Sequence, residues 1–273
     1  MPSEKRQRQD EGRLIRLEQE RSVTQKVQRK RQARTLGLII GAIVVVAGGI
    51  AIFSADDADD DTSTEASDSP DSSAPTGENV VLPGPGASIT GETPCPPSDG
   101  SAERTTEFEQ APPMCIDPAK SYTATLETTE GDIVIELDAA NAPETVNNFV
   151  VLSRYHYFDG LPFHRVVPGF VNQTGSSGVP DIGSGGPGYD LPAEPPTREY
   201  AAGDVAMAQG GGTNSGSQFF FTIDPTSLQG GTYPIFGTVS EGQDVVQAIN
   251  DLGAGDGPPS KSVTIDSVTI TES

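Results

Sequence analysis

The sequence contains no tryptophan and few of the histidine and cysteine residues that zinc sites favour. Its only histidines, His156 and His164, form no HExxH motif, and its two cysteines, Cys95 and Cys115, form no CxxC pair. The common zinc sites are therefore excluded. No P-loop or GxSxG motif occurs, and the glycine-rich stretch at 183–188 is not followed by the helical pattern that a phosphate loop requires. The sequence predicts no metal and no cofactor.

Positive charge is scarce beyond the first 35 residues. Eleven of the 17 lysines and arginines lie in residues 1–35 together with five acidic residues, whereas the rest of the chain has six basic and 34 acidic residues. Phosphate backbones are bound by basic faces, so the acidic main part of the chain argues against nucleic acid as a partner. Acidity of this kind usually serves solubility.

The one long apolar run, residues 36–53, consists of apolar residues and glycine without interruption. As a helix it would extend roughly 27 Å, about the thickness of a bilayer core. A basic stretch at 29–34 comes directly before it and an acidic stretch at 56–61 soon after it. The positive-inside rule predicts a cytoplasmic basic arm at 1–35, a single transmembrane helix at 36–53, and the remaining chain outside the cytoplasm.

A cleaved signal peptide is the alternative for this segment. Its charged n-region would be unusually long, at about 35 residues, and no clear A-x-A cleavage site follows the apolar run. The basic arm next to the membrane would favour anionic lipid, or it would act only as a topology signal.

Residues 54–92 are rich in Ser, Thr, Asp, Glu, Pro and Gly. Such a segment cannot offset its conformational entropy by burial, and we expect a disordered acidic linker. The extension that follows, 93–120, contains both cysteines and few large apolar side chains. Outside the cytoplasm a disulfide is permitted, so a Cys95–Cys115 bridge is expected to order this extension; two unpaired thiols are the alternative.

The pattern changes at about residue 121, where a last domain, 121–273, begins. Alternating apolar residues on both sides of "EGD" predict a hairpin over 122–137, and residues 142–154 have the proline, acid and apolar stripe of a helix. Short strands between Gly/Pro turns, with only two helices, are typical of an antiparallel barrel or sandwich. The remaining predicted elements are strands at 163–167, 204–208, 218–223, 235–239 and 262–270 and a helix at 241–251.

The segment "SQFFFTI", 217–223, would alternate as a strand. Phe219, Phe221 and Ile223 would then share a wholly apolar core face. Gln218 and Phe220 would share the other face, which is either a binding surface or an ordinary half-exposed strand.

The segment "FHRVVPGFVNQ", 163–173, contains no nucleophile. Strict alternation would put Phe163, Arg165 and Val167 on one face and Phe170 on the other. The Pro-Gly step marks a bulge or bend that could bring Arg165 and Phe170 together, and alternation leaves this open.

His164 in the same segment could be a general base or a metal ligand. The segment contains no second histidine and no carboxylate. A hydrogen-bonded structural histidine is the favoured interpretation. A hydrolase is a weak hypothesis, because no nucleophile and base are arranged for it.

Several motifs, in this order, resemble the cyclophilins. "FHRVVPGFVNQ" is similar to the family's F-H-R-[hydrophobic]2-P-G-F-x-x-Q segment, and "NSGSQFFF" (214–221) to its N-G-S-Q-F-F strand. "IFGTVSEGQDVVQAI" (235–249) resembles the V-F-G-x-V-x-x-G-x-x-V-x-x-I segment, and residues 130–160 fit the first hairpin and helix. The resemblance runs from about 121 to 271 and identifies the last domain as cyclophilin-like, in a bacterial, membrane-anchored protein.

The resemblance implies a closed eight-stranded antiparallel barrel capped by two helices, with peptidyl-prolyl cis-trans isomerase activity. Proline-containing unfolded or secreted polypeptides would be its partners, and the protein would be a monomer. The family's catalytic arginine falls on Arg165. Its substrate-binding positions fall on Phe170, Val171, Gln173, Ala208, Gln209, Gln218, Phe220, Leu228 and Tyr233.

The sequence departs from the family pattern at several of these positions. The pocket methionine is Val171, and the asparagine that binds the substrate backbone is Gln209. The tryptophan that many members use to bind immunosuppressants is Leu228, the leucine after it is Gln229, and the pocket histidine is Tyr233. Residues 174–203 match only loosely.

Rotation about an X-Pro bond makes and breaks no covalent bond, so it needs no nucleophile. The barrier is amide resonance, roughly 18–20 kcal/mol, and a donor beside the proline nitrogen favours the twisted form. Arg165 can supply this donor while Phe170 and Phe220 hold the ring. The sequence thus predicts an isomerase that assists folding outside the cytoplasm, and the alternative is a proline-peptide binding or chaperone module with little turnover.

Overall fold

The computed structural model describes residues 82–177, 183–210 and 213–273, all within one unit of the chain, Asp71–Ser273. The predicted basic arm, the predicted transmembrane helix and most of the predicted linker lie outside the described residues. Within those three ranges, no helix is both long and apolar enough to cross a membrane.

The described residues form ten strands, two α-helices and one short 3-10 helix. The strands are β1 (Ala87–Ile89), β2 (Thr105–Phe108), β3 (Tyr122–Thr128), β4 (Gly131–Leu137), β5 (Arg165–Val167), β6 (Val171–Thr174), β7 (Asp204–Gly210), β8 (Thr213–Thr222), β9 (Ile235–Glu241) and β10 (Ile265–Glu272). The helices are α1 (Pro143–Arg154), α2 (Gln243–Asp251) and the 3-10 helix Thr226–Leu228.

Eight strands form one sheet in the order β10-β3-β4-β9-β7-β8-β6-β5, with antiparallel neighbours, while β1 and β2 form a separate parallel pair. The predicted hairpin is confirmed, because β3 and β4 pair with Thr128 opposite Gly131 across a two-residue turn. Both predicted helices are also confirmed, with bounds shifted by one or two residues. The alternating apolar residues of the hairpin are buried: Tyr122, Ala124, Leu126, Ile133, Ile135 and Leu137.

The sheet curls into a half-barrel, and the expectation of a closed barrel is wrong. Within the described ranges its edge strands, β10 and β5, share no ladder. The segments that precede them meet at an isolated bridge between Pro162 and Thr264 and at a hydrogen bond from the Phe163 N–H to the Val263 carbonyl, 2.9 Å long. A regular ladder cannot continue through Pro162, because proline has no N–H to donate.

The core lies between the sheet and α1, which packs on β8, β9 and β10. Its centre is aromatic: the ring of Phe149 in α1 lies 5.4 Å from that of Phe219 and 5.1 Å from that of Phe236. Phe219 and Phe221 are fully buried as predicted. Ile223, predicted to share their face, is only partly buried, because it lies just beyond the end of β8.

Helix α1 is buried on every side over residues 145–154. A distant loop caps its N-terminus, because the Glu194 carboxylate accepts hydrogen bonds from the backbone N–H groups of Glu144 and Thr145, at 3.1 and 2.9 Å. A negative charge at this end also complements the helix dipole. The amphipathic pattern of the sequence predicts only one covered face, so a further layer must cover the other.

That layer is the segment 82–120. The predicted Cys95–Cys115 disulfide is present. The Cys115 N–H donates to Asn147 Oδ1 at 2.7 Å, and Asn147 Nδ2 donates to the Pro113 carbonyl at 2.9 Å, which fixes the disulfide loop on α1. Phe108 of β2 is 3% exposed and joins the core. The extension is therefore an integral layer of the domain.

The predicted end of the disordered linker, residue 92, is wrong, because β1 already lies within that range. Few side chains of residues 82–92 are buried. This segment is held instead by the pairing of β1 with β2 and by a hydrogen bond from Arg104 Nη1 to the Gly84 carbonyl, 2.7 Å long. The amino-acid composition of a segment indicates how much side-chain surface it can bury, but it does not show hydrogen bonds made by the main chain.

Candidate active site

The sheet face opposite the core carries a second apolar cluster, called here the Phe220 cluster. Phe220 alternates with the core residues Phe219 and Phe221 along β8 and is 5% exposed. Tyr233 packs edge-on against it with ring centroids 5.4 Å apart. The other members are Val167, Phe170, Val171, Tyr200, Ala206, Ala208, Leu228 and Ile235.

A tight hairpin brings Phe170 to this cluster. The chain reverses between β5 and β6, with Val167 opposite Val171 and the Phe170 N–H bonded to the Val167 carbonyl at 3.0 Å. Gly169 sits in the turn with a φ of +68°, which favours glycine. The Pro-Gly step thus marks a strand reversal, and the sequence pattern did not predict β6. The reversal also places Gln173 directly opposite Arg165.

Arg165 and Phe163 lie on different faces, which corrects the alternation argument. Phe163 is 1% exposed and its ring lies 6.0 Å from that of Phe221 in the core. The Arg165 side chain is 32% exposed. Strict alternation fails here because β5 begins only at Arg165, so the residues before it do not follow the pleat.

Arg165 is the first donor in a relay of side-chain hydrogen bonds. In each bond of the relay, the residue nearer to Arg165 is the donor. Its Nη1 donates to Gln173 Oε1 at 3.3 Å, and Gln173 Nε2 donates to Gln218 Oε1 at 3.1 Å. Gln218 Nε2 then donates to the Gly183 and Gly185 carbonyls at 3.1 and 3.4 Å. The relay fixes the orientation of both amides from the loop that follows β6.

Near Gln218, strand β8 leaves its ladder with β7. Met207 pairs with Phe219 but Gln209 pairs with Asn214, so one residue of β7 lies opposite four residues of β8. The Ser215 hydroxyl replaces the missing strand partner by accepting a hydrogen bond from the Gln218 N–H at 2.9 Å, as serine does in turns.

The Arg165 guanidinium is also held by Asp256, which the sequence analysis missed. Nε donates to Oδ1 at 2.5 Å and Nη2 donates to Oδ2 at 3.0 Å. The hydrogen bond with the carboxylate raises the pKa of Arg165, although burial opposes this. A single aspartate in a glycine-rich loop, 91 residues from Arg165, gives no recognisable signal in one sequence.

The fold, the relay and the aromatic cluster can be compared with known proteins. A family model described as cyclophilin type peptidyl-prolyl cis-trans isomerase/CLD matches residues 123–270, more than half of the chain. The chain belongs to the cyclophilin-type peptidyl-prolyl cis-trans isomerase family.

Relatives of this cyclophilin match it along most of their own length. A peptidyl-prolyl cis-trans isomerase of Synechococcus elongatus is 40% identical over 133 residues, which cover 49% of this chain and 90% of the relative. Peptidyl-prolyl cis-trans isomerase A of Mycobacterium tuberculosis is 38% identical over 174 residues, covering 56% and 94%. A solved cyclophilin-type isomerase of Cryptosporidium parvum gives a TM-score of 0.50 at 25% identity and covers 55% of this chain and 98% of its own.

Three residues at which this cyclophilin departs from the family pattern, Leu228, Gln229 and Tyr233, make contacts with neighbouring residues. Leu228 is 6% exposed and lies within the Phe220 cluster. Gln229 Nε2 donates to the Tyr200 carbonyl at 2.8 Å, and the Tyr200 hydroxyl donates to the Tyr233 carbonyl at 2.9 Å. These two bonds join Gln229, Tyr200 and Tyr233 at the Phe220 cluster.

Gln209, predicted to bind the substrate backbone, has its amide occupied in this structure. Its Nε2 donates to Asn214 Oδ1 at 2.7 Å and to the Thr232 carbonyl at 2.9 Å, and its Oε1 accepts from the Thr232 hydroxyl at 2.9 Å. The side chain therefore joins β7 to the loop before Tyr233. Contact with a substrate from this position stays a prediction.

His164 is buried, with 8% of its surface exposed. Burial lowers its pKa to about 4, and the charge of neighbouring Arg165 contributes. Its Nδ1 has no hydrogen-bond partner among the described residues. The burial agrees with the predicted structural role, but the predicted hydrogen bond is not made by Nδ1 within that part of the chain. A buried imidazole with so low a pKa binds a proton weakly and is a poor general base at neutral pH.

The site as a whole offers a fixed cationic donor beside an apolar, aromatic wall. Within the ranges that the structure describes, no group of three or more His, Cys, Asp or Glu side chains could hold a metal ion. Arg165 cannot lose its proton under ordinary conditions, and the two glutamines are neutral. Such an arrangement can orient and polarise a planar amide without transferring a proton.

Proposed function

We propose that this cyclophilin isomerises X-Pro bonds of proline-containing polypeptides outside the cytoplasm and so assists their folding, anchored by a transmembrane helix at 36–53. The observation that carries the location is the Cys95–Cys115 disulfide, because disulfides persist in oxidising compartments and are rare in the cytosol. The basic stretch before the apolar run and the acidic stretch after it support the same orientation.

In the proposed mechanism, Arg165 is the catalytic residue. A proline ring seated against Phe170, Phe220 and Tyr233 would place its nitrogen beside the guanidinium. As the X-Pro bond twists, the nitrogen regains its lone pair, and an N–H of Arg165 donates to it. This bond is made in the twisted form and not in the planar one, so it lowers the barrier instead of merely binding the substrate.

Gln173 and Gln218 serve orientation in this mechanism. Gln173 accepts from the guanidinium, and Gln218 holds Gln173 in turn. The aromatic wall excludes water from the bond that forms, which strengthens it. An acceleration of about 10⁵ corresponds to roughly 7 kcal/mol, and electrostatic preorganisation supplies contributions of this size in other enzymes.

Activity is tested with a peptide that contains one X-Pro bond and with refolding of a proline-limited protein. Arg165→Ala should reduce kcat/KM by at least about a hundredfold. Lys120→Ala, which removes an exposed cation from Glu272 while Glu272 keeps its ion pair with Arg154, is the control for loss of charge. Equal activity of Arg165→Ala and the parent would remove Arg165 from the mechanism.

The alternative, a proline-peptide binding module with little turnover, is motivated by the changes at Leu228, Gln229 and Tyr233. It predicts that the parent protein binds proline peptides tightly while the isomerisation rate stays at background. Measuring binding and exchange on the same peptide separates the two functions.

The location is tested by thiol labelling of intact cells with a membrane-impermeant maleimide. Cys95 and Cys115 should react only after an external reductant is added. Labelling only after lysis would place the domain in the cytoplasm and contradict the proposed location.

A further inference from the structure

The ion pair between Arg165 and Asp256 determines which N–H groups of the guanidinium remain for a substrate. A guanidinium has five N–H donors, and Asp256 and Gln173 use three of them. Two donors are left that no described residue takes, one on each terminal nitrogen. Asp256 occupies the edge formed by Nε and Nη2, so the remaining donors of the guanidinium lie away from this edge.

The loop that carries Asp256 is built against Arg165. The N–H of Val166, next to Arg165, donates to the carbonyl of Gly257, next to Asp256, at 2.7 Å. Farther back, Gly253 lies so close to β5 that a Cβ there would be 2.9 Å from Pro168 Cδ and 3.0 Å from the Val166 carbonyl oxygen. Although the Asp256 side chain is 66% exposed, its main chain is thus tied to the strand that begins with Arg165.

We propose that Asp256 is a positioning residue that holds the Arg165 guanidinium in its productive orientation, an inference that rests on the proposed catalytic role of Arg165. Gln173 alone does not fix the group, because a single bond of 3.3 Å is at the long end of the hydrogen-bond range. The two parallel bonds to Asp256, at 2.5 and 3.0 Å, define both the position and the plane of the fork.

The carboxylate has two opposing effects on the reaction. It partly neutralises the positive charge of the guanidinium, which would weaken the hydrogen bond to the proline nitrogen. It also restricts rotation of the Arg165 side chain, so less conformational freedom has to be lost in the transition state. The gain from orientation outweighs the loss from neutralisation. Because the ion pair is exposed to water, the carboxylate weakens the guanidinium field only slightly, whereas a misplaced donor loses most of its effect on the reaction. Removing the carboxylate should therefore slow turnover and leave substrate binding unchanged.

The test compares the parent, Asp256→Asn and Asp256→Glu in the peptide assay, with kcat and KM determined separately. Asp256→Asn should lower kcat about tenfold with KM changed less than about twofold, since a carboxamide has one acceptor oxygen and cannot take both bonds. Asp256→Glu should restore part of kcat. Asp99→Asn, an exposed aspartate in the extension, is the control for the change in charge.

A spectroscopic measurement reports the orientation directly. The Arg165 Nε–H resonance, assigned by its absence in Arg165→Lys, should be shifted and slow to exchange in the parent and should lose both properties in Asp256→Asn. In an Arg165→Ala background, Asp256→Asn should have no further effect on kcat.

The outcomes separate this inference from the proposed function. If Arg165→Ala is inactive but Asp256→Asn keeps the parent kcat, or raises only KM, the positioning role is wrong and the catalytic role of Arg165 stands. If Arg165→Ala is fully active, the proposed mechanism itself is wrong, and the positioning role ends with it.

Discussion

The backbone N–H of Phe108 donates a hydrogen bond to the carbonyl of Pro187 at 2.7 Å. This bond joins β2 of the extension to the loop whose Gly183 and Gly185 carbonyls hold Gln218. Strand and loop are in close contact, because a Cβ on Gly188 would lie only 2.3 Å from the Phe108 carbonyl oxygen. The extension therefore supports the outer side of the loop that orients the glutamine relay.

Phe108→Ala should lower the free energy of unfolding by about 3–5 kcal/mol, the usual loss for a buried phenylalanine. It should also reduce kcat/KM of the folded protein through Gln218, because it removes the ring contact with Tyr189 of the same loop. Urea denaturation and the peptide assay measure the two effects. The neighbouring exposed residue gives the control, Glu107→Ala, which should change neither. An unchanged kcat/KM in Phe108→Ala would mean that the extension contributes stability alone.

Phe219 and Phe220 are adjacent in β8 and should respond differently to the same substitution. Phe219 is in the core among four other phenylalanine rings, so Phe219→Ala should mainly destabilise, by about 3–5 kcal/mol. Phe220→Ala should lower kcat/KM at least about tenfold, since it removes the wall of the proline pocket. Comparing unfolding and isomerisation for both variants checks this, and equal losses of activity per folded molecule would contradict the assignment of faces.

Loss of the Cys95–Cys115 bridge should destabilise the domain. The cysteines are 20 residues apart, and closing a loop of this length contributes about 3 kcal/mol by restricting the unfolded chain. Replacing both cysteines by serine should lower the free energy of unfolding by that amount. A reductant should have the same effect on the parent and none on the variant; a reductant-sensitive variant would show that another process is being measured.

His164 should make the free energy of unfolding depend on pH. The unfolded chain binds a proton near pH 6.5, whereas the folded domain binds it only near pH 4. The contribution of neutral His164 is therefore complete above pH 6.5 and is lost as the pH falls towards 4, by up to about 3 kcal/mol. The difference in unfolding free energy between pH 7 and pH 4.5 should shrink in His164→Leu; an identical difference in parent and variant would exclude this group as the cause.

The parts of the fold that sequence predicted well depend on local patterns. Alternation over a few residues identifies the hairpin at 122–137 and the faces of Phe219 and Phe220, because the pleat alone decides them. The same argument failed for Phe163, which lies before the strand begins. The closed barrel was expected from the family resemblance. Whether the barrel closes depends on whether a strand ladder can continue through Pro162, which has no N–H to donate.

The parts that sequence did not predict depend on contacts between distant segments. Asp256 meets Arg165 across 91 positions, and Cys115 meets Asn147 across 32. Neither pair has a spacing or motif that marks it in a single sequence. For the same reason the resemblance could nominate Gln209 as a substrate contact but could not show that its amide is engaged by Asn214 and Thr232.

The covered helix has a consequence for the order of assembly. Synthesis runs from the N-terminus, so residues 82–120 leave the ribosome before α1, the element on which they rest. They can complete their packing only after α1 has settled on the sheet, because the groups that receive them, such as the Asn147 amide, belong to the helix. The first part of the domain to be made thus has to wait for a later element before it can complete its packing, and until it does so the helix keeps one side open to water.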